Sequence, residues 1–247
     1  MVRFCRLSVD VGQRPSGDNR QFLNGMLHVL RTACLWRDMH ERYGKWNSVY
    51  VRFRRWAEQG VWDALLQTLV DLGLTDNWQH MIDSTVIRAH SQATGAKGGL
   101  IRRLLVGHAA ALRAKSMPDV TIRDVLSAFV LTGGQVSDYK ATEALMALPV
   151  PNPKAMLADR GYDSDSFRQD LLIHGILPVI PSRKGCGVPQ KTDWRRYRDR
   201  NRIERMFNKL KQMRRIATRY DKTALSFMSF LNIAAGRLWI RSFVNAT

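Results

Sequence analysis

Residues 197–221, YRDRNRIERMFNKLKQMRRIATRYD, read as one helix with two dissimilar faces. Tyr197, Arg200, Glu204 and Lys211 stand at offsets of three, seven and fourteen residues, so a helix sets them in one row. Ile203, Phe207 and Leu210, with Met206 beside them, form an apolar stripe next to that row. This predicts a helix packed on one side, with its polar row turned outward. Glu204 is the odd residue. It stands among Arg195, Arg196, Arg198, Arg200, Arg202, Arg205, Lys209, Lys211, Arg214 and Arg215, and Asp199 is the only other acid before Asp221. Such a carboxylate either makes intrahelical ion pairs worth about 0.2–0.5 kcal/mol each, or is kept for a divalent cation, with neighbouring cations holding a phosphate backbone. Other isolated acids along the chain decide between the two.

The remainder of the chain bounds the answer. Its 247 residues make one medium domain or two small ones, and 45% hydrophobic content suits a globular protein with a real core. Thirty-nine Lys and Arg against 21 Asp and Glu give a net charge of +18 and a pI near 10.6. That balance favours nucleic acid as the partner over an anionic membrane. No apolar run approaches the roughly 18 residues needed to span a bilayer, and MVRFCRLSVD lacks the apolar core of a secretory signal. Cys5, Cys34 and Cys186 fit neither a disulfide framework nor a zinc site, and suggest a reducing cytoplasm.

From the N-terminus, Asp18 is placed to cap a helix over Asn19–Thr32, with Phe22, Leu23, Met26, Leu27 and Leu30 inside. A turn at Gly44 and a helix over about residues 47–58 follow, carrying Val49, Tyr50, Phe53 and Trp56 against Arg52, Arg54 and Arg55. Helix, glycine turn, basic and aromatic helix is the outline of a helix-turn-helix DNA reader, and equally of a small bundle with a basic face. Lys45, Arg52, Arg54 and Arg55 are the candidates there for DNA recognition. A third, mostly apolar helix over residues 61–72 buttresses the group. HMIDSTVIRAH then reads as a β-strand bearing Asp83, an acid costly to bury unless paired or metal-bound. The loop with Gly95, Lys97, Gly98 and Gly99 is too irregular for a phosphate-binding fingerprint. FVLTGGQVSDYKATEALMAL reads as strand, turn and helix, ended by Pro149, Pro151 and Pro153. KAMLADRGYDSDSFRQDLLIHGILPVIPSRKG reads as a parallel βαβ unit, with Asp159 at a strand end and Asp163 and Asp165 as helix-start residues. The segment 224–244 is an apolar core helix.

Three separated acids remain: Asp83, Asp159 and Glu204. Brought together, such carboxylates hold two Mg²⁺ ions roughly 3.5–4 Å apart for in-line phosphoryl displacement. Arg200 and Lys211 then grip DNA phosphates, and Tyr197 stacks on or bonds to the backbone.

Y-x2-R-x3-E-x6-K, here Tyr197, Arg200, Glu204 and Lys211, resembles the signature of the DDE transposases of bacterial insertion sequences. MIDSTVIRAH and LADRGYDSD look like that family's first and second acid motifs, and WRDMHERYGKWNSVYVRFRRW is similar to the N-terminal module of its insertion-sequence-five branch. The similarity covers about residues 10–99 and 130–244. It implies an α/β fold: an RNase H-like mixed sheet with flanking helices over residues 77–247, preceded by a helical, helix-turn-helix-like DNA-binding module over residues 1–76. It further implies an Asp83–Asp159–Glu204 metal triad using Mg²⁺, for which Mn²⁺ can substitute, and transposition at terminal inverted repeats and target DNA. A homodimer or larger synaptic assembly and a cytoplasmic, nucleoid-associated location follow from the same resemblance. The rivals are a catalytically inactive DNA-binding remnant that represses transposition, and an RNase H-like nuclease without strand transfer.

The chain departs from the family pattern twice. An acidic, Trp-bearing helix usually precedes the DVG segment at Asp10, so the N-terminal reader is expected to be shortened. Between the first acid motif and FVLTGGQ, relatives carry a text like GRSRGGFTSKIH, which supplies a second strand; here the chain reads LIRRLLVGHAAALRAKSMPDVTIRDVLSAF. LLVGHAAALRAKSMP is encodable so that starting each codon one base earlier yields ALGRSRGGFTSKIHA, the family text. Residues 100–129 are therefore suspected to be read out of frame. Their Ala-rich text predicts a helix, a weakened sheet and a poorly held Asp83.

Overall fold

The computed structural model describes residues 18–72, 79–94, 108–116, 125–133, 142–147 and 152–244. Asp18 caps the first helix as predicted: its carboxylate accepts the backbone N–H of Arg20 at 2.9 Å at the start of α1 (Asn19–Thr32). α2 (Trp46–Glu58) and α3 (Val61–Asp71) follow. Residues 33–45, between α1 and α2, hold two 3-10 turns, Trp36–Asp38 and Glu41–Tyr43. This is a longer connection than the roughly three to four residues of a compact helix-turn-helix. Gly25 lets α1 meet that connection closely, since a Cβ there would lie 3.1 Å from Met39 Sδ and 3.2 Å from both Tyr43 Cβ and Val49 Cγ1.

The sheet is built around β1 (Gln79–Ala89). Its neighbours are β2 (His108–Ser116), β3 (Val125–Gly133), β4 (Ala155–Leu157) and β5 (Leu177–Val179), in the order β3-β2-β1-β4-β5. The β1–β2 and β2–β3 pairs are antiparallel, and the β1–β4 and β4–β5 pairs are parallel. A short strand, β6 (Thr218–Arg219), extends the far end of β1 at Arg88 and Ala89. The helix expected from the Ala-rich text at residues 108–116 is thus replaced by a strand. Its backbone pairs with β1 from Gln79↔Ser116 to Ile87↔His108, including Asp83↔Leu112. Position between two partner strands outweighs alanine's helical preference, because each residue there can bond on both edges. The remaining residues of 100–129 before β3, and Gly95 to Gly99, Pro149 and Pro151, lie outside the described residues.

Alternation along β1 and β4 assigns their faces. Met81 and Leu157 join the core made with α1, α2 and α3, whereas Ile82, Met156 and Ala158 face Leu145, Phe167 and Leu171 on the other side. Leu145 belongs to α4 (Thr142–Met146), and Phe167 and Leu171 to α5 (Asp165–Ile173), which Ser164 opens. Together β4, α5 and β5 form the predicted βαβ unit.

The predicted core helix is α9 (Ala224–Val244), with Phe227, Phe230, Ala234 and Trp239 fully buried. It binds three elements at once. Phe230 stacks on Phe53 of α2 at 4.5 Å between ring centroids, Asn232 Nδ2 donates to Asp63 Oδ1 of α3 at 2.7 Å, and Trp239 Nε1 donates to Leu126 O of β3 at 2.7 Å. Among the described residues no helix is long and apolar enough to cross a membrane.

The single helix expected over residues 197–221 is broken into pieces. α6 (Trp194–Tyr197) passes through a 3-10 turn at Arg198–Arg200 into α7 (Asn201–Lys211), which ends at Gln212; α8 (Arg214–Ala217) then leads into β6. Two buried groups explain the break. Met213 adopts an extended backbone and buries its side chain, which swings the chain off the helix axis. Arg215, expected on the basic surface, instead points inward and donates to Asp221 Oδ1 at 2.9 Å and Oδ2 at 3.2 Å, both side chains being 6% exposed. A buried guanidinium needs such a carboxylate, and a continuous helix would carry the two apart.

Candidate active site

Asp83 and Asp159 reach the same place by the same local pattern. In the parallel β1–β4 pair, Met81 lies opposite Leu157, and each strand then runs one inward-facing residue, Ile82 or Ala158, before its aspartate. Continuing that register two residues brings Asp159 level with Asp83, on the same face, midway along β1 and just past the carboxyl end of β4. Functional groups in such sheets collect there.

Each aspartate is fixed locally. Asp83 Oδ1 accepts the Ser84 N–H at 2.8 Å. Asp159 Oδ1 accepts the Gly161 N–H at 2.7 Å, opening the 3-10 turn Arg160–Tyr162. That turn is clamped from outside: Arg183 donates to the carbonyls of Arg160 at 3.0 Å and Gly161 at 2.8 Å, and its backbone N–H donates to Asp163 Oδ2 at 2.7 Å. Asp163 also takes Arg168 at 2.8 and 2.9 Å. Burial pushes its carboxyl up, but the Arg183 N–H and the Arg168 guanidinium more than reverse this and hold it below the ordinary carboxylate value. Asp163 is therefore more than the helix-start residue expected of it. It ties the Asp159 turn to the β5 exit.

Glu204 enters from α7. The polar row expected to face solvent lies over β1 instead. Arg200 donates to Asp83 Oδ2 at 3.3 Å and to Glu204 Oε1 at 2.5 Å, so one guanidinium bridges two of the three acids. Lys211 Nζ donates to Thr85 Oγ1 at 2.8 Å, and Gln79 Nε2 donates to Asp199 Oδ2 at 3.1 Å. The segment from Asp199 to Lys211 is thereby pinned along β1. Tyr197 lies under the Arg200 guanidinium at 5.7 Å and meets the exposed Trp194 ring edge-on at 5.5 Å. Thr85 and Gln79 escaped the sequence reading. Thr85 was findable, since it stands two residues after Asp83 and a strand turns both to one face; Gln79 gives no such signal.

The electrostatics agree with convergence. Burial, more than any other cause, pushes the Asp83 carboxyl up to about 6; the Ser84 N–H and Arg200 pull it down, while the negative charges of Asp159 and Glu204 push it further up. The side chain of Asp83 is 13% exposed and that of Glu204 49%, so one wall of the site is dry and the other open. Burial works against the Arg200 charge, yet Tyr197, Asp83 and Glu204 together raise its pKa. Among the described residues no three His, Cys, Asp or Glu side chains are close enough to hold a metal ion as they stand. Expected loss of support for Asp83 is not observed: it keeps its β2 pairing, a backbone hydrogen bond and an ion pair.

The basic candidates of α2 are placed differently from one another. Lys45 and Arg55 are exposed. Arg52 lies over the Phe22 ring at 4.2 Å and donates to Asn19, and Arg54 is paired with Glu58 at 2.9 Å and donates to Tyr50 at 3.4 Å.

Comparison with known proteins fits this geometry. A family model described as "Putative transposase of IS4/5 family" matches residues 5–66, and one described as "Transposase DDE domain" matches residues 156–241, from β4 to α9. An uncharacterized protein of Sinorhizobium fredii is 43% identical over 99 residues, 38% of this chain and 75% of the relative. A Brucella ovis protein named "Putative transposase for insertion sequence element IS6501" is 41% identical over 90 residues, 35% of this chain and 67% of the relative. A Burkholderia cepacia protein similarly named for IS402 is 31% identical over 119 residues, 43% of this chain and 53% of the relative. These matches make the chain, with its two aspartates level on adjacent parallel strands and a glutamate on a following helix, a member of the insertion-sequence transposases of the IS4/5 family, with a DDE domain.

Proposed function

We propose that the chain is the DNA transposase of its insertion sequence, cutting strands at the terminal inverted repeats and joining the freed 3′ ends to target DNA in a Mg²⁺-dependent reaction. The observation that carries this reading is the level register of Asp83 and Asp159, with Glu204 tied to Asp83 through Arg200. The strand order β3-β2-β1-β4-β5 with β2 antiparallel supports an RNase H-like catalytic domain over residues 77–247. The α1–α3 group, with its basic α2, supports a helical DNA-binding module over residues 1–76, its α1–α2 connection longer than in a compact helix-turn-helix.

Asp83, Asp159 and Glu204 are the residues that would hold Mg²⁺ or Mn²⁺. Their all-oxygen donor set suits a hard divalent cation, and an Asp83 carboxyl held up near 6 by burial and two neighbouring acids is short of positive charge. Held there, such ions would supply the activation of a water or a 3′-hydroxyl and the stabilisation of the leaving oxygen. Arg200 supplies the missing charge as the structure stands, and must give up one or both carboxylates for ions to enter. Released, it is placed with Tyr197 and Lys211 to grip the phosphates flanking the scissile bond. Lys45, Arg52, Arg54 and Arg55 make α2 the end-recognition helix. The active form is a homodimer or larger assembly that pairs two ends, working in the cytoplasm on nucleoid DNA.

Residues 100–129 belong to this reading as a segment out of frame with the family text, through two compensating shifts. The gene's nucleotide sequence tests it: single-base differences from relatives near Gly99 and Phe129 support it, and their absence overturns it. The bridging Arg200, which occupies two of the three acids, favours, as the second reading, a DNA-binding remnant that occupies the ends without cutting. Gel shifts beside an end-cleavage assay separate the two. The proposed enzyme cleaves in Mg²⁺, loses at least about a hundredfold in Asp159→Asn and Glu204→Gln, and keeps its gel shift in both. Binding without cleavage by the parent chain leaves the remnant.

A further inference from the structure

The outward side of α2 is not an ordinary solvent face. At about 100° per residue, the exposed residues Asn47, Ser48, Val51, Arg55 and Glu58 fall in one arc, with Val51, 44% exposed, near its centre. A helix face with no partner usually carries Lys and Glu at such positions. Here an amide, a hydroxyl, two methyls and a guanidinium are lined up along one ridge. Four of these five residues edge an open groove between α1 and α2, lined by Phe22, Asn47, Ser48, Val51, Arg52 and Arg55.

The arginines of α2 divide by what holds them. Arg54 is committed to Glu58, which also neutralises the one acid of the arc, and Arg52 is laid over Phe22 with a bond to Asn19. Arg55 lies on the arc, and Lys45 stands exposed at the start of the helix. Charge fixes the class of partner: a chain of +18 whose exposed arc carries Arg55, with Lys45 at its head, meets a polyanion.

Resting on the reading of the chain as a binder of its element's ends, we infer that α2 lies in the major groove of duplex DNA and that Asn47, Val51 and Arg55 determine its sequence preference. The chemistry of each is distinct. An Asn amide pairs bidentately with adenine N6 and N7, an Arg with guanine O6 and N7, and valine methyls pack on a thymine methyl. Eight residues separate Asn47 from Arg55, a span of about 12 Å along the helix, which covers roughly three to four base pairs. Lys45 holds a phosphate, and Arg52 and Arg54, through their bonds to Asn19 and Glu58, steady the helix that presents Asn47, Val51 and Arg55.

Selection of duplexes from a randomised pool by the full chain, with sequencing of the bound fraction, tests this. The parent protein is expected to enrich a short motif in which an A·T and a G·C pair stand within about four base pairs of each other. Asn47→Ala flattens the preference at the A·T position and Arg55→Ala at the G·C position, each by about tenfold or more. Val51→Ala weakens a neighbouring thymine. Lys45→Gln weakens every duplex alike and lowers the slope of log affinity against log salt by about 0.9. If Asn47→Ala and Arg55→Ala keep the parent motif, or only weaken all sequences equally, α2 does not read bases and the inference fails. If the parent binds duplexes in a salt-dependent manner but enriches no motif, the inference fails while DNA binding stands. If no duplex is bound at any salt, both fail.

Discussion

At the residue scale, Asp83 is the most strained group of the site, and the strain is electrostatic. Its pKa of about 6 in the folded chain lies above the 3.8 of an unperturbed aspartate, so folding favours its protonated form. The sign follows: its contribution to stability is fully present below about pH 3.8 and is lost as pH rises through about 6. With about 1.36 kcal/mol per unit, that loss is on the order of 3 kcal/mol. In chelator, Asp83→Asn is therefore expected to be more stable than the parent at pH 8, with the gap narrowed at pH 4.5 to about a third of its size. Urea denaturation at the two pH values checks this, and a gap that does not change with pH contradicts it. Arg183 acts on the neighbouring acid through the turn. Arg183→Ala removes both carbonyl bonds that clamp Arg160 and Gly161, and end cleavage is expected to fall about 10- to 100-fold with the gel shift unchanged. Restoration by Arg183→Lys to near the parent level would instead mark a simple need for positive charge.

At the element scale, most of the fold was legible because its signals are local. Asp18, the apolar spacing of α1, the run ILPV and the glycine at Gly44 each act over a few residues, and each element formed where they pointed. Two elements were misread for the same reason. The helix expected through Asp221 stops at Lys211 because Arg215 finds Asp221 inside the protein, and residues 108–116 become a strand because β1 and β3 flank them. Neither cause is visible in local composition. The site shows the same division: the paired patterns MID and LAD announced two acids, but the inward turn of Arg200 and Lys211 depended on where α7 lies on β1. The closeness of α1 to its connection is equally a tertiary matter. Gly25→Ala sets a methyl about 3.1–3.2 Å from three atoms, two of them β- or γ-carbons with little freedom. A destabilisation of about 1–3 kcal/mol is expected, read as a lower urea midpoint at unchanged slope.

At the scale of the whole molecule, one hydrophobic core runs from α1, α2 and α3 through α9 into the sheet. Phe230 is at its junction, stacked on Phe53 at 4.5 Å and on Trp36 at 6.0 Å and lying under Arg215 at 5.1 Å. Phe230→Ala is expected to lose about 3–5 kcal/mol, and to lower tryptophan-fluorescence and far-ultraviolet transitions together. Separate transitions by the two probes would show that the helical group and the sheet melt independently. The three anchors of α9, to Phe53, Asp63 and the Leu126 carbonyl, also have a mechanical outcome. On the proposed reading of α2 as the helix that meets the element's end, they make α9 a rigid caliper, one jaw on that helix and the other on the sheet that carries Asp83. The offset between the gripped base pairs and the severed bond is then a fixed dimension of the folded chain, independent of linker slack. Inserting a base pair between the two on the DNA should shift the cut by one nucleotide, toward the gripped base pairs, relative to the terminus.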